Sequence, residues 1–327
     1  MAQIELEQIC KTFSISKRPE GRFSLLRGAF VRTRETVRAL DSISFSIQEG
    51  ELVGYIGPNG AGKSTTVKIM SGILTPDSGR CTIMGRTPWT ERVAHVSGIG
   101  VVFGQRSQLW WDVPVNDSFS LLKDIYRIST RDYNRKLSEL TQALDIGSLL
   151  KTPVRQLSLG QRMRCEIVAA LLHSPRILFL DEPTIGLDAV SKLALRDFLK
   201  QENSKNAVTM ILTTHDMDDI EALCSRVMVI GHGKLLYNGS LGSLKERYSK
   251  LRCIRATLEQ YTAAFDVECS ERIDVDANTW TVWFDPAKTA AHTMIERLAK
   301  ALPLRDVIIE EQDIDKIIAA MYKEMCI

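Results

Sequence analysis

Residues 51–65 read ELVGYIGPNGAGKST, and this stretch decides the fold. An apolar run of strand type passes directly into a glycine-rich turn that fits G-x-x-x-x-G-K-[ST]. In that pattern Gly57, Pro58, Asn59, Gly60, Ala61 and Gly62 form a loop whose successive N–H groups point at phosphate oxygens. Lys63 reaches the β- and γ-phosphates of a nucleotide. The Ser64 hydroxyl is a ligand for Mg²⁺, and Thr65 adds an α-phosphate contact at the start of a helix predicted over 63–73.

Downstream, ILFLDEP (177–183) supplies the carboxylates such a loop needs. Four apolar residues read as a strand of a parallel sheet, and ligands bind at the C-terminal ends of such strands. Asp181 is placed there to hold Mg²⁺ and Glu182 to orient and polarise the attacking water. His215 ends the strand AVTMILTT, where it can bond a γ-phosphate or that water. His95, His173, His232 and His292 show no such placement and read as structural. Gln105 closes the strand GIGVVFG, within amide reach of Mg²⁺ and the water; Gly98, Gly100 and Gly104 before it are given no phosphate role. No N-K-x-D guanine-reading motif follows the loop. Phe13, in KTF, is the candidate for stacking on adenine, and Phe30 is a weaker one.

The rest of the chain bounds what surrounds this site. Its 327 residues suit two domains, with 44% hydrophobic and 25% charged residues, a soluble globular composition. A net charge of +2 makes no case for nucleic-acid binding. Seven cysteines without a C-x-x-C pair argue against a disulfide framework or a zinc site and suit a reducing cytosol. The N-terminus lacks the apolar core of a signal peptide, and no apolar stretch approaches the roughly 18 residues of a membrane span. Work at a membrane would therefore go through a partner.

Strands are expected over 1–13 and 37–58, with an insertion at 14–38 between them. That insertion carries Lys17, Arg18, Arg22, Arg27, Arg32, Arg34 and Arg38 against Glu20 and Glu35, a local charge of +5. It reads as a solvated surface loop, or as a contact for anionic lipid headgroups or an acidic partner loop. Helices at 117–128 and 131–146 make 105–172 a helix-rich subdomain; in the second, Tyr133, Leu137, Leu140 and Leu144 share a face. Elsewhere strands alternate with helices up to about 245, implying a mostly parallel sheet covered on both sides. The character changes over 246–327, which reads as a small α+β domain. In its TWTVWFD, Trp280, Val282 and Phe284 alternate toward a buried face.

Residues 157–164, LSLGQRMR, complete the set. Taken in order, Phe13, the loop at 57–65, Gln105, LSLGQ, the DE-ending strand, IGLD (185–188) and His215 resemble the ATP-binding subunit of an ABC transporter, over about residues 1–240. The resemblance implies a P-loop NTPase of the ABC ATPase fold, with a mostly parallel core sheet, an N-terminal antiparallel β subdomain, a helical signature subdomain and the C-terminal α+β domain. It implies ATP and Mg²⁺, permease subunits as partners at the cytoplasmic face of the membrane, and a head-to-tail pair of ATPase subunits, a homodimer with a heterodimer open. In that pair Ser158, Gly160 and Gln161 of one copy face the nucleotide held by the other, and Asp188 tunes the contact. Ser158 is a good N-cap for the helix that follows, whose N-terminus offers amides and partial positive charge to a γ-phosphate. The family commonly has LSGGQ; Leu159 replaces its first glycine. Trp110 and Trp111 lie where the family meets its membrane subunit, with burial in the helical subdomain as the alternative. The 246–327 tail resembles that of ATPases serving ABC-2-type exporters. A soluble ABC ATPase without a permease and an importer ATPase remain as alternatives; one ATPase unit and no heptad run fit the first less well, and a short tail fits the second less well.

Overall fold

The computed structural model describes residues 2–17, 33–104, 106–248, 251–310 and 314–324. They fall into two compact units, Met1–Gly239 and Ser240–Ile327.

In the first unit a six-stranded sheet has the order β5-β6-β7-β3-β8-β9: Ile99–Phe103, Ile177–Asp181, Thr209–Thr213, Leu52–Ile56, Arg226–Gly231 and Lys234–Ser240. The pairs β5–β6, β6–β7, β7–β3 and β3–β8 are parallel. These strands read as unbroken apolar runs because both their faces are covered; Phe179, Ile211 and Met228 are fully buried among them. Two of them, β3 and β6, carry the phosphate loop and the paired carboxylates at their C-terminal ends, separated by β7 alone.

A second, antiparallel sheet orders β2-β1-β4 (Thr33–Gln48, Ala2–Lys17, Ser78–Ile83). Its alternating Ile4, Leu6, Ile43 and Ile47 join the same core. Here the expected insertion at 14–38 needs correcting. Its two ends are strand, Ser14 pairing with Thr36 and Lys17 with Thr33. Alternating polar side chains hide a strand from a hydrophobicity pattern, and charge is common along exposed strand edges. Phe30 and the other insertion residues at 18–32 lie outside the described residues.

Helices cover the sheet and build the region between β5 and β6. They are α1 (Lys63–Met70), α2 (Arg92–Val96), α3 (Val115–Ile125), α4 (Thr130–Ala143), α5 (Leu159–Leu171), α6 (Ala189–Asn206) and α7 (Met217–Leu223). The Ser129 hydroxyl caps α4 by accepting from the Asp132 amide, and Tyr133, Leu140 and Leu144 are buried, with Leu137 partly so. Three thiols are sealed in this unit: Cys81 on β4, Cys165 on α5 and Cys224 after α7. Burial pushes the Cys81 and Cys165 thiols up to about 12.

Two histidines act as internal struts. The Nε2–H of His95 donates to the Met70 carbonyl and that of His173 to the Ile99 carbonyl, both at 2.8 Å. His173 also stacks on Tyr126, ring centroids 4.0 Å apart. Their Nδ1 atoms are buried without a partner among the described residues, and burial lowers both pKa values. Unfolded, each takes up a proton near the ordinary value of about 6.5; folded, each resists until lower pH. The stability they carry is full above about pH 6.5 and is lost as pH falls through the window below it. The urea midpoint should drop between pH 7.5 and 5.5, and drop less in His173→Phe, which keeps a ring on Tyr126 but cannot titrate.

The second unit has the antiparallel order β11-β12-β10-β13 (Ser270–Asp276, Thr279–Phe284, Arg252–Leu258, Leu304–Glu310). Trp280, Val282 and Phe284 of β12 are fully buried against α9 (Ala291–Ala301) through Met294 and Leu298. Helix α8 (Leu241–Tyr248) packs on α10 (Ile314–Glu324) inside this unit. That packing sets the division after Gly239, a few residues before the change in composition near 245.

Candidate nucleotide-binding site

A cleft of about 450 Å³ opens at the C-terminal edge of the parallel sheet. Its wall includes Asn59, Gly60, Gly62, Lys63, Ser64 and Thr65 from the phosphate loop and Asp181 and Glu182 from the end of β6. The loop is compressed against the sheet: a Cβ at Gly57 would lie 2.3 Å from the Ile230 carbonyl oxygen. Gly62 has φ +111° and enters α1 with no side-chain cap, so the first-turn amides have no partner within the helix. Lys63 is 8% exposed, and its ammonium donates to the carbonyls of Gly57 (2.6 Å) and Pro58 (3.2 Å). Burial lowers its pKa, with Glu182 and Asp181 opposing.

The carboxylates are positioned by their neighbours. Asp181 accepts from the Ser64 hydroxyl at 3.3 Å and from the Thr213 hydroxyl on β7. Glu182 takes up the left-handed backbone region, φ +56°, and its N–H donates to the Thr213 carbonyl at 2.9 Å. Non-glycine residues rarely hold this conformation unless their surroundings enforce it. His215 Nδ1 lies 3.4 Å from Glu182 Oε1, so the structure joins these two predicted residues directly. Beneath them the fully buried Asp219 of α7 accepts from Thr184 Oγ1 at 2.5 Å, Thr214 Oγ1 at 3.4 Å and Arg196 Nε at 2.6 Å. Thr184 follows Glu182 closely and Thr214 precedes His215, so one carboxylate braces both.

Other predicted residues lie apart. Gln105 is outside the described residues. Phe13 is partly buried on β1 opposite Val37, two residues from the cleft-lining Ala39, and is not itself part of the wall. Pro58 and Ala61 support the loop from outside the wall. Ser158, Gly160 and Gln161 are also absent from it. They form the start of α5, where Ser158 Oγ accepts from the Gln161 amide (3.2 Å) and Gln161 Oε1 from the Ser158 amide (2.9 Å). Asp188 caps α6 by accepting from the Ser191 amide at 2.9 Å.

Several contributors were missed from sequence. Gly104 does line the cleft, beside Phe103 and Arg106. A Cβ there would sit 3.0 Å from the carbonyl oxygens of Asp181 and Glu182. Glu166 on α5, 3% exposed, accepts from the Ser107 hydroxyl and from the Gln108 amide at 3.1 Å, clasping the segment after Gln105. Burial raises its pKa. Trp110 and Trp111, singled out from the sequence with burial as the alternative, are exposed at 41% and 51%, and Arg162 of α5 lies 5.8 Å from the Trp111 ring centroid.

Over 217 residues the chain is 30% identical to the ABC transporter ATP-binding protein NatA of Bacillus subtilis, covering 66% of this chain and 88% of that one. The chain belongs to the ABC transporter ATP-binding family. The ABC transporter family model matches residues 40–185, from Leu40 before the phosphate loop to Ile185 after the carboxylates. The chain is also 34% identical to the probable multidrug ABC transporter ATP-binding protein YbhF of Escherichia coli, over 68% of this chain, and spans 38% of that longer relative. It is 32% identical to the methionine import ATP-binding protein MetN of Geobacillus kaustophilus over 63% of this chain and 61% of that one. Among solved structures, a dimeric ATP-binding cassette bound to ADP and Pi superposes with a TM-score of 0.61 at 25% identity, covering 73% of this chain and 98% of that one. This ABC ATPase cassette therefore has the parallel-sheet core expected from its phosphate loop. Among the described residues no helix is long and apolar enough to cross a membrane.

Proposed function

We propose that the chain binds and hydrolyses ATP as one of two head-to-tail copies docked on membrane-spanning permease subunits at the cytoplasmic face, driving export of the ABC-2 type. One observation carries the reading. Lys63, Ser64, Asp181 and Glu182 share a single cleft whose wall contains nothing from the signature turn at 158–161. The turn is preformed at a helix N-terminus with its glycine in place, so a second copy is the natural donor of that half of the site.

The oxygen donors of Ser64 and Asp181 fit Mg²⁺, a hard cation that keeps waters and phosphate oxygens among its ligands. When bound, it supplies charge neutralisation at the β- and γ-phosphates. Lys63 and the first-turn amides of α1 bind the same phosphates. Glu182 accepts a proton from the attacking water, and His215 holds the carboxylate through its Nδ1, 3.4 Å from Oε1. Gln105 is assigned a contact with Mg²⁺ and the water. Phe13, across β1–β2 from Ala39's strand, is assigned the adenine. Trp110 and Trp111 offer an exposed aromatic surface for the permease. Export rests on the resemblance of the 246–327 tail, since MetN shows that relatives of this chain include proteins named for import.

Mixing two inactive chains tests the arrangement. Lys63→Ala disables a chain's own phosphate loop, and Gly160→Asp puts negative charge where the turn meets phosphate. Each alone should be inactive. Combined, a head-to-tail pair contains one site built from the intact loop of one chain and the intact turn of the other, and ATPase activity should return. A mixture as inactive as its components would refute the shared site.

A further inference from the structure

Leu159 is the first residue of α5 and is 39% exposed, yet its side chain is seated. A Cβ built on Gly186 would lie 2.2 Å from Leu159 Cδ2 and 3.0 Å from its Cγ, so the leucine covers the bare Cα of that glycine. The reverse contact lies alongside: a Cβ on Gly160 would lie 3.0 Å from Leu187 Cδ2. Two leucines thus sit on two glycines across the junction of residues 158–160 with 186–188. Ser158 on one side caps α5 and Asp188 on the other caps α6. The second segment is tied back to the backbone of Glu182, the Ile185 N–H donating to the Glu182 carbonyl at 3.4 Å and the Leu187 N–H to that of Thr184 at 3.2 Å.

We propose that this leucine–glycine interlock couples the two ATP sites of a dimer through a single subunit, with Leu159 as its positioning residue. The inference rests on the head-to-tail reading above, in which the 158–161 turn serves the partner's nucleotide and Glu182 serves the chain's own. Close-packed contacts transmit displacement because overlap is steeply repulsive. A shift of the signature turn, set by the partner's γ-phosphate, is therefore passed through Leu159 to Gly186 and on to Glu182. Leu159 does not line the chain's own nucleotide cleft; its size relative to Gly186 sets the spacing.

The test measures ATPase rate against ATP concentration for the full-length native chain, Leu159→Ala, Gly186→Ala and the double variant. Leu159→Ala leaves only a Cβ, 3.5 Å from the methyl that Gly186→Ala adds, an ordinary contact. The φ of +71° at Gly186 strains alanine equally in both backgrounds, so that cost cancels in the cycle. Gly186→Ala should cost about tenfold more in kcat/KM beside Leu159 than beside alanine. Leu159→Ala alone should leave binding of a fluorescent ATP analogue to monomeric chain unchanged and bring a native Hill coefficient above 1 down toward 1. Equal costs in the two backgrounds, a Hill coefficient unaltered by Leu159→Ala, or a native value of 1 would each overturn the coupling. ATP-dependent dimerisation of Glu182→Gln separates the two ideas. If that dimer fails to form, the head-to-tail reading falls; if it forms while the cycle shows no coupling, only the interlock falls.

Discussion

Glu182→Gln should lower steady-state ATP turnover by at least about a hundredfold while lengthening the life of the ATP-bound dimer. A positioned general base contributes roughly 10²–10⁴ in rate, and glutamine keeps the shape of the side chain without its basicity. The backbone at Glu182 is held by the Thr213 carbonyl and by the chain to Thr184, neither of which depends on the carboxylate. The cleft should therefore keep its form and its ATP, and the bridging nucleotide, no longer hydrolysed, should hold two copies together. Radiolabelled phosphate release and sedimentation in Mg²⁺-ATP measure the two halves of this expectation. Native turnover in the variant would move the base elsewhere, with His215 the next group in line.

Asp219→Ala should destabilise the first unit by about 3 kcal/mol, the lower end of what removing one partner of a buried ion pair costs. The Arg196 guanidinium is 14% exposed and, among the described residues, would keep only Asp216, at 3.7 Å, as an acidic partner. Two buried hydroxyls, of Thr184 and Thr214, would lose their acceptor as well. Urea denaturation reads the loss directly; a change below about 1 kcal/mol would mean that water reaches Arg196 once the carboxylate is gone. Because the same brace holds the segments carrying Glu182 and His215, kcat should fall more than ATP affinity.

The contrast between these residues explains what sequence could and could not disclose. The phosphate loop was legible because its chemistry is contiguous: strand, glycine turn, lysine and hydroxyl follow one another within fifteen residues. Asp181 and Glu182 were legible because an apolar run aims them. Asp219 was not, since its nearest partners, Thr184 and Arg196, lie 35 and 23 positions away and HDMDD reads as an ordinary acidic helix start. Glu166 is hidden in the same way, 58 or more positions from the residues it clasps. The arms of β1 and β2 were misread as loop because their polar side chains carry no core signal, and pairing of backbone groups leaves no trace in composition. Leu159 looked like an unexplained departure until Gly186, 27 positions on, was seen beneath it.

The sealed thiols make the molecule its own recorder of internal breathing. Alkylating reagents consume the thiolate, and at neutral pH a thiol pushed up to about 12 supplies almost none, even before access is considered. Cys81, Cys165 and Cys224 therefore react only during excursions that expose them. They sit in the antiparallel sheet, in the signature helix and after α7 against Gly54 of β3, so each samples a different region. Cys269, exposed in the second unit, supplies the unprotected reference rate within the same chain.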